Sequence, residues 1–475
     1  MKNNIKDTLS KRTRLPLASL RFSTFDFAIG PLAKFFFATG LFTMTTFSCI
    51  ASIWQSDGYG YVFDLSDSKL PKVYDVGSNY CLLNHFLTDE AQSEGLSIDK
   101  QSHTLEFGKL FPLKVSRVNA VPVHCSESGV ATFQNEQYKF SAPQVLETLL
   151  NHFSEHYAYS DDKKLNWQTI KQTWLKRVDN DTTPAQLRQV IDDFLAMLSD
   201  GHAILFNESL DRLVHHSPRK LTSESRLLEF MAEQPDFTDI SQVYRYVYQN
   251  WLSIINSYID AEEPHQVLNS NFFYAKLKGG SIYLRIESFD EHDTEAVMRH
   301  LLPKLNTASG VVIDLRDSSG GSDVVALKMM SFLSNHKFDV GVKRYKTDHG
   351  MAKGAEISVS PISKDAYAGN IVVLTSQHTP SAAEVFLMAL KARGNVTIIG
   401  ENSFGAFSDA LTKALPNGWG ITLSNEKYVD VNGHHYEFSG IPVDADFEFP
   451  NITDIKLNRD SALEYAISLL SKQSI

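Results

Sequence analysis

Short apolar runs alternate with amphipathic stretches over the second half of this chain. Ser281–Phe289, Gly310–Arg316 and Ile371–Leu374 read as strands, the last two as buried ones. Thr294–Leu305, Asp323–Leu333 and Val385–Leu390 read as helices, the third stopped by Gly394. Strand and helix in turn predict an α/β core with largely parallel strands. A final amphipathic helix is expected at about Asp460–Ser471, and Pro416-Asn417-Gly418 and Val431-Asn432-Gly433 each signal a hairpin. Upstream, from Gln144 to about Val267, the period is helical. Pro184–Leu198 is the best amphipathic helix there, with Thr183 as its cap and Gly201 suited to its exit. That exit delivers His202 just before the strand-like Ala203–Phe206. Residues 52 to about 140 are β-rich, with short strand-like pieces at Tyr59–Phe63, Lys72–Val76, Thr104–Phe107 and Ala131–Phe133.

Charge changes the picture at the N-terminus. The net charge of −11 argues against a general nucleic-acid binder. Residues 1–34 nevertheless carry seven Lys or Arg against Asp7 and Asp26, a local +5 that leaves −16 for the rest. The twenty uncharged residues Phe35–Trp54 follow. A basic flank and an apolar run read as an export signal or a single membrane anchor. The span is either kept, cut, or lipidated at Cys49. Cys81 and Cys125 are then an even pair that forms one disulfide in an oxidising compartment or remains two buried thiols. No Cys/His cluster has zinc spacing, so no metal is expected, and no cofactor either.

Candidate chemistry gathers at Thr375–Glu384. Ser381 lies between a buried strand and a helix start, where free N–H groups can receive negative charge. Ser381-x-x-Glu384 is also a capping box, a purely structural use of both side chains. Gly320-Gly321, after the Gly310 strand, either supply the backbone angles of a tight turn or let backbone N–H groups approach a reacting carbonyl. They are not a phosphate loop, since no Lys-Ser/Thr follows.

Taken together, Leu198-Ser-Asp-Gly-His202, Tyr283–Phe289, Val312–Arg316 with Gly320-Gly321, Thr379-Pro-Ser-Ala-Ala-Glu384, Ile399–Gly405, Leu415–Trp419 and Gly440-Ile-Pro-Val-Asp444 resemble, in order, the tail-specific (carboxy-terminal processing) protease family. The branch resembled is that of the tricorn core protease. The resemblance implies a crotonase-like or ClpP-like α/β protease core, with a helical segment and a small N-terminal β-rich domain. The implied organisation is 1–54 basic segment plus signal or anchor, 55–143 β-rich domain, 144–270 helical segment, 271–455 protease core and 456–475 C-terminal helix. It implies a serine endopeptidase with Ser381 as nucleophile. In the family's Ser–Lys branch a lysine ends the stretch that here reads Gly400–Ala406, so either the enzyme is inactive or another base works. His202 matches the histidine base of the tricorn-like branch, and its ring is expected within hydrogen-bond reach of Ser381 Oγ. The N–H groups of Ala382 and of Gly320 or Gly321 would form the oxyanion hole. Glu437 is the candidate third residue, with Ser199 or Asp200 in its place as alternatives, and His378 is a rival base. Ser318 stands where the family usually has Asn, and no peptide-binding PDZ stretch is recognisable. The partners implied are a peptide or protein substrate and, through the N-terminus, a membrane, on the outer side of a bacterial cell membrane. The competing function is a non-catalytic binding module for peptides or apolar ligands on the same fold.

Overall fold

A computed structural model describes residues 52–99, 101–107, 112–122, 125, 138–213, 221–262, 266–267, 271–289 and 294–472. Contacts divide the chain into two units, 1–46 and 47–475, and every described residue falls in the second. The basic segment, most of the apolar run, Cys49 and the strand expected at Ala131–Phe133 lie outside the described residues.

The N-terminal region is an antiparallel sheet of β1 (Ile53–Ser56), β2 (Tyr61–Asp64), β3 (Lys72–Val76), β4 (Cys81–Leu83), β5 (Leu96–Asp99), β6 (Thr104–Phe107) and β7 (Leu113–Val118), with α1 (His85–Glu94) between β4 and β5. Its strand order is β4-β3-β2-β1-β7-β6-β5. The apolar run read as a membrane or signal span therefore gives its last residues, Ile53 and Trp54, to a strand paired on both sides. Cys81 and Cys125 are joined as a disulfide.

Three helices follow: α2 (Ala142–His156), α3 (Trp167–Trp174) and α4 (Pro184–Leu198). The start of α4 is fixed by a reciprocal box, Thr183 N–H donating to Gln186 Oε1 at 2.8 Å and Gln186 N–H donating to Thr183 Oγ1 at 3.3 Å. Leu187, Val190, Ile191, Phe194, Leu195 and Leu198 form its buried stripe. The helix ends on Ser199 in the left-handed conformation, not on Gly201. Ser199 takes that angle with its hydroxyl turned back on the Ala196 carbonyl, which frees Gly201 for a different use described below.

After β8 (Leu205–Phe206) come α5 (Thr222–Ala232), α6 (Ile240–Tyr258) and the core. The core contains β9 (Gln266–Val267), β10 (Phe272–Lys276), β11 (Ile282–Ile286), α7 (Thr294–Thr307), β12 (Val311–Asp314), α8 (Asp323–Met330), β13 (Phe338–Thr347), β14 (Gly350–Val359), β15 (Ile371–Thr375), α9 (Ala382–Arg393), β16 (Val396–Gly400), β17 (Ala410–Ala414), β18 (Gly420–Ser424), β19 (Glu426–Asp430), β20 (Ala445–Asp446), α10 (Ile452–Leu457) and α11 (Ser461–Lys472). The central sheet runs β20-β16-β15-β12-β11-β10-β9, parallel from β20 to β11. Both faces are covered, which is why β12 and β15 are unbroken apolar runs. Val311, Ile313, Ile371 and Val373 pack towards α7, α8 and α9, while Val312, Val372 and Leu374 pack towards α6 and α11.

Two smaller sheets flank this one, β14-β13-β19 and β17-β18-β8. The expected hairpin at Pro416–Gly418 joins β17 to β18. At Val431–Gly433 there is a turn, but no strand returns along β19, whose partner is β13. The Asp430 carboxylate holds the turn by accepting the Asn432 and His434 N–H groups, and the chain leaves it as irregular backbone towards Glu437.

Candidate active site

The end of β12 and the turn after β15 are stapled together by side chains. Ser376 Oγ donates to the Arg316 carbonyl at 2.6 Å and Thr379 Oγ1 to the Leu315 carbonyl at 2.7 Å. Arg316 is itself buried between Asp314 and Asp460, which ties β12 to the start of α11. On this fixed platform Ser381 begins α9 with φ 58° and ψ −130°. A non-glycine residue there is strained by an amount on the order of 1–3 kcal/mol. The strain turns the side chain out of the helix start, and Ser381 is part-exposed while Ala382 and Ala383 are buried.

Gly320 packs directly against that residue. A β-carbon built on it would lie 2.9 Å from Ser381 Cβ and 3.5 Å from the Ala382 nitrogen, so only glycine, here at φ 86°, fits. Its carbonyl is turned away to accept the Phe289 N–H at 2.7 Å. Gly321, at φ 131°, continues the turn and bridges to Phe289. The Ser318 hydroxyl is buried without a partner. Gly320 and the Ala382 N–H therefore flank one side of Ser381.

The opposite side is formed by Phe404–Ala406. The Ser381 N–H donates to the Ala406 carbonyl at 2.9 Å. Gly201 packs on the same residue: a β-carbon there would come within 2.8 Å of Ala406 Cβ and 2.6 Å of the Phe404 ring. That close approach is what Gly201 is for, in place of the helix exit expected of it. One buried alanine thus touches both the Ser381 backbone and the turn that carries His202. The side chains of Ser381 and His202 themselves share no hydrogen bond, so the direct contact expected from the sequence is not formed. Catalytic hydrogen bonds are often loose until substrate tightens them.

His202 is held by its backbone. Its N–H donates to Asp200 Oδ1 at 2.9 Å, and its carbonyl accepts from Thr422 Oγ1 at 2.5 Å. Ser424 Oγ donates to the same Asp200 oxygen at 2.8 Å, and β8 pairs with β18 immediately downstream. The imidazole Nδ1 is buried without a partner. Burial lowers the ring's proton affinity, and the charges of Asp200 and Asp409 offset part of that. The net effect favours the neutral ring.

Glu437 is buried, which is not the state of a solvated turn residue. Its Oε2 accepts the Phe407 and Ser408 N–H groups at 2.8 and 3.2 Å and the Tyr159 hydroxyl at 3.2 Å; it makes no hydrogen bond to His202. Burial first, and then the charge of Asp200, push its carboxyl well above the usual range. Of the three candidates for a third residue, Asp200 is the one bonded to the His202 backbone. Ser199 is spent on its own helix, and Glu437 holds the 407–408 backbone. His378 is no rival base: its Nε2 contacts Ser223 Oγ at 3.0 Å and the Tyr244 hydroxyl at 3.0 Å, which docks α5 and α6 on the turn, and burial pushes it down to about 4.

Glu384 does more than cap. Besides the Ser381 N–H at 3.2 Å, its carboxylate accepts Ser403 Oγ at 2.5 Å, Gly405 N–H at 2.7 Å and Ala406 N–H at 2.7 Å. It joins the start of α9 to the whole 403–406 segment. Burial raises it to about 7 against the pull of those donors. The signal for this role was present in the sequence: one carboxylate inside Ala382-Ala-Glu-Val-Phe-Leu-Met-Ala-Leu390, apolar on every other side. Among the described residues no cluster of His, Cys, Asp and Glu is arranged to hold a metal ion.

Comparison with known proteins bears on the family and the fold. The model of peptidase family S41 matches residues 281–447, and that of the tricorn protease C1 domain matches residues 141–196. A probable CtpA-like serine protease of Staphylococcus aureus (strain COL) is 26% identical over 184 residues, 38% of this chain and 36% of that protein. The carboxy-terminal processing protease CtpA of Bacillus subtilis (strain 168) is 27% identical over 196 residues, 41% of each. The similarity thus spans well under half the length of these relatives. Among solved structures, a candidate peptidase of Parabacteroides merdae superposes with a TM-score of 0.56 at 22% identity, over 70% of this chain and 97% of that one. Mature CPAF does so with a TM-score of 0.50 at 13% identity, over 70% and 96%. Those two likenesses concern the fold. With its α/β core, its helical segment and these sequence relatives, the chain carries a peptidase family S41 domain preceded by a tricorn protease C1 domain.

Proposed function

We propose that the chain is a serine endopeptidase acting through a Ser381 acyl-enzyme, with His202 as general base. The observation that carries this reading is the strained Ser381 backbone set between Gly320 and Ala406, with the His202 turn packed on the same alanine. His202 takes the Ser381 proton as Oγ attacks the scissile carbonyl. The Ala382 N–H and a glycine N–H of the 320–321 turn receive the oxyanion, each such donor worth roughly 10²–10³ in rate. His202 returns the proton to the leaving amine, and water, deprotonated by the same ring, releases the acyl group. Asp200 orients and charges the His202 turn, and Glu437 positions the segment after Ala406. Export across a membrane fits the basic and apolar N-terminal sequence and the Cys81–Cys125 disulfide.

The absence of a Ser381–His202 hydrogen bond is the one observation that favours a binding module instead. Labelling with a fluorophosphonate separates the two. Wild type should label, and Ser381→Ala and His202→Ala should not. Wild type that stays unlabelled while folded would remove the peptidase reading.

A further inference from the structure

Between the N-terminal sheet and the core lies a small, partly enclosed cleft, about 50 Å³ by the space open to the centre of a water-sized sphere. Its apolar wall is made by the rings of Tyr59, Tyr61 and Phe63, and its polar wall by Asp409, Asn425 and Glu426. The polar wall holds more carboxyl groups than cations, and Glu426 also accepts the Tyr59 hydroxyl at 2.5 Å. Lys343 bridges Asp409 at 2.5 Å and Glu426 at 2.8 Å, and the Tyr428 hydroxyl links Asp409 to Asp323. Asp409 and Glu426 thus share one ammonium, while burial raises Asp323 well above the usual carboxylate range. The two tyrosine rings add faces that attract cations. Tyr61 already holds one, the Lys413 ammonium at 3.9 Å, which Asp75 neutralises.

Asn425 is an independent observation. It is 1% exposed and lines the cleft, and both its amide nitrogen and its amide oxygen lack a hydrogen-bond partner. A buried carboxamide with both ends unpaired costs about 1–3 kcal/mol per group. Such a group is retained where something else comes to meet it. The carboxylate of Asp409 is 23% exposed, so the charged wall reaches the mouth.

We infer that this cleft is a binding site for an organic cation, an ammonium or guanidinium group, seated against Tyr59 and Tyr61 with Asp409 and Glu426 as counter-charges and the Asn425 oxygen as acceptor. Without a cation, part of the excess charge is relieved by proton uptake, since burial raises Glu426 to about 7. The charge of Asp409 is also felt at His202, so the cleft lies within electrostatic reach of the catalytic turn. The cation comes from one of two sources, a basic side chain of a peptide or a free amine. The first rests on the peptidase reading, the second does not.

The test uses the full chain. In the first arm n-butylammonium is titrated into Ser381→Ala by calorimetry, alongside neutral n-butanol. Saturable binding of the amine alone is expected, weakened about tenfold or more by Asn425→Leu, the scale of one lost polar contact. In the second arm, peptides that differ only by lysine against norleucine are compared at each position around the scissile bond. A preference for lysine of about tenfold in kcat/KM, lost in Asn425→Leu while fluorophosphonate labelling is unchanged, assigns the site to substrate. Amine binding with no lysine preference assigns it to a free amine. Leu87→Phe, which narrows the cleft from its other wall, must weaken both readouts. Equal behaviour of butylammonium and butanol together with no lysine preference overturns the proposal. The calorimetric arm needs no catalysis, so its result stands apart from any failure of the peptidase reading.

Discussion

Replacing Glu384 by glutamine keeps the shape of the side chain and removes its charge. All four partners of this carboxylate are donors, so the glutamine NH₂ must face two of them whichever way it turns. The better orientation sets it against Ser403, whose hydroxyl can rotate, and leaves the Gly405 N–H unpaired. One buried orphan N–H costs about 1–3 kcal/mol. Against this stands the cost of the buried charge. Burial raises Glu384 from an ordinary 4.5 to about 7. Because the folded chain holds this proton more tightly than the unfolded one, its stability is greatest below about pH 4.5. Stability then falls as pH rises towards 7 and levels off above, by roughly 3 kcal/mol in all. Glutamine escapes that loss. The two effects nearly cancel, and at pH 8 the variant should unfold within about 2 kcal/mol of wild type. Activity should not be spared, because the charge is what aligns Ser381, Gly405 and Ala406. A misplacement of one ångström in such a site can cost about 10² in rate. The pH profile separates positioning from mere packing. In wild type, activity should rise through about pH 7 as Glu384 ionises, since burial puts the His202 transition below 6.5. In Glu384→Gln that limb should disappear, leaving only the lower one. Peptide hydrolysis or fluorophosphonate labelling from pH 5 to 9, beside denaturant titrations, measures both. A limb near pH 7 that survives in the glutamine variant would refute the assignment.

Two further perturbations test how the site is held. Lys413 is wholly buried with Asp75 at 3.0 Å and joins β17 to β3, so Lys413→Met should destabilise the chain by about 3–5 kcal/mol and Lys413→Met with Asp75→Asn by clearly less, as read by chemical denaturation. Ala406→Leu adds bulk where even a β-carbon built on Gly201 would lie only 2.8 Å from Ala406 Cβ, so it should cut the labelling rate by about 10² at a stability cost of about 1–3 kcal/mol, while Ala406→Gly stays near wild type.

The parts of the fold that were legible are those where one physical rule acts alone. Strands β12 and β15 are covered on both faces, so their sequences are continuous apolar runs with no competing explanation. Helix α4 announces itself through Thr183, Pro184 and a regular apolar stripe. Strand β1 was hidden because Ile53 and Trp54 close an uncharged run that satisfies the pattern of a span equally well. The turn at Val431–Gly433 carries hairpin residues, yet a hairpin needs a second strand, and Asp430 and β13 take the available hydrogen bonds first. At the site, the residue types of Ser381 and His202 pointed to chemistry, but their relation is set by long-range contacts. Thr422 and Ser424, which fix the His202 turn, are 220 and 224 residues from the groups they hold and carry no local signal.

If His202 is the base as proposed, position 406 is where packing accommodates the change from lysine. In the family's Ser–Lys branch, from which this sequence departs, this is the position of the lysine. Here the alanine leaves the volume of a long side chain unused, and Gly201, having no β-carbon, is the residue that closes on it. What packs on Ala406, beside Ser381, is a turn from another part of the chain, with His202 next in sequence. The turn has to be imported with its own supports: Asp200 under the His202 N–H, Thr422 and Ser424 from β18, and β8 paired alongside. Thr422 and Ser424 sit on the β17–β18 hairpin, and the same hairpin is clamped to the N-terminal sheet through Lys413 and the Thr412 carbonyl, which accepts from Tyr61 and Asn84. A lysine on the core needs no such scaffold. A histidine on a separate turn does, so if His202 is the base as proposed, the N-terminal sheet would serve the reaction without contributing a reacting group, by stiffening the hairpin whose Thr422 and Ser424 hold its turn.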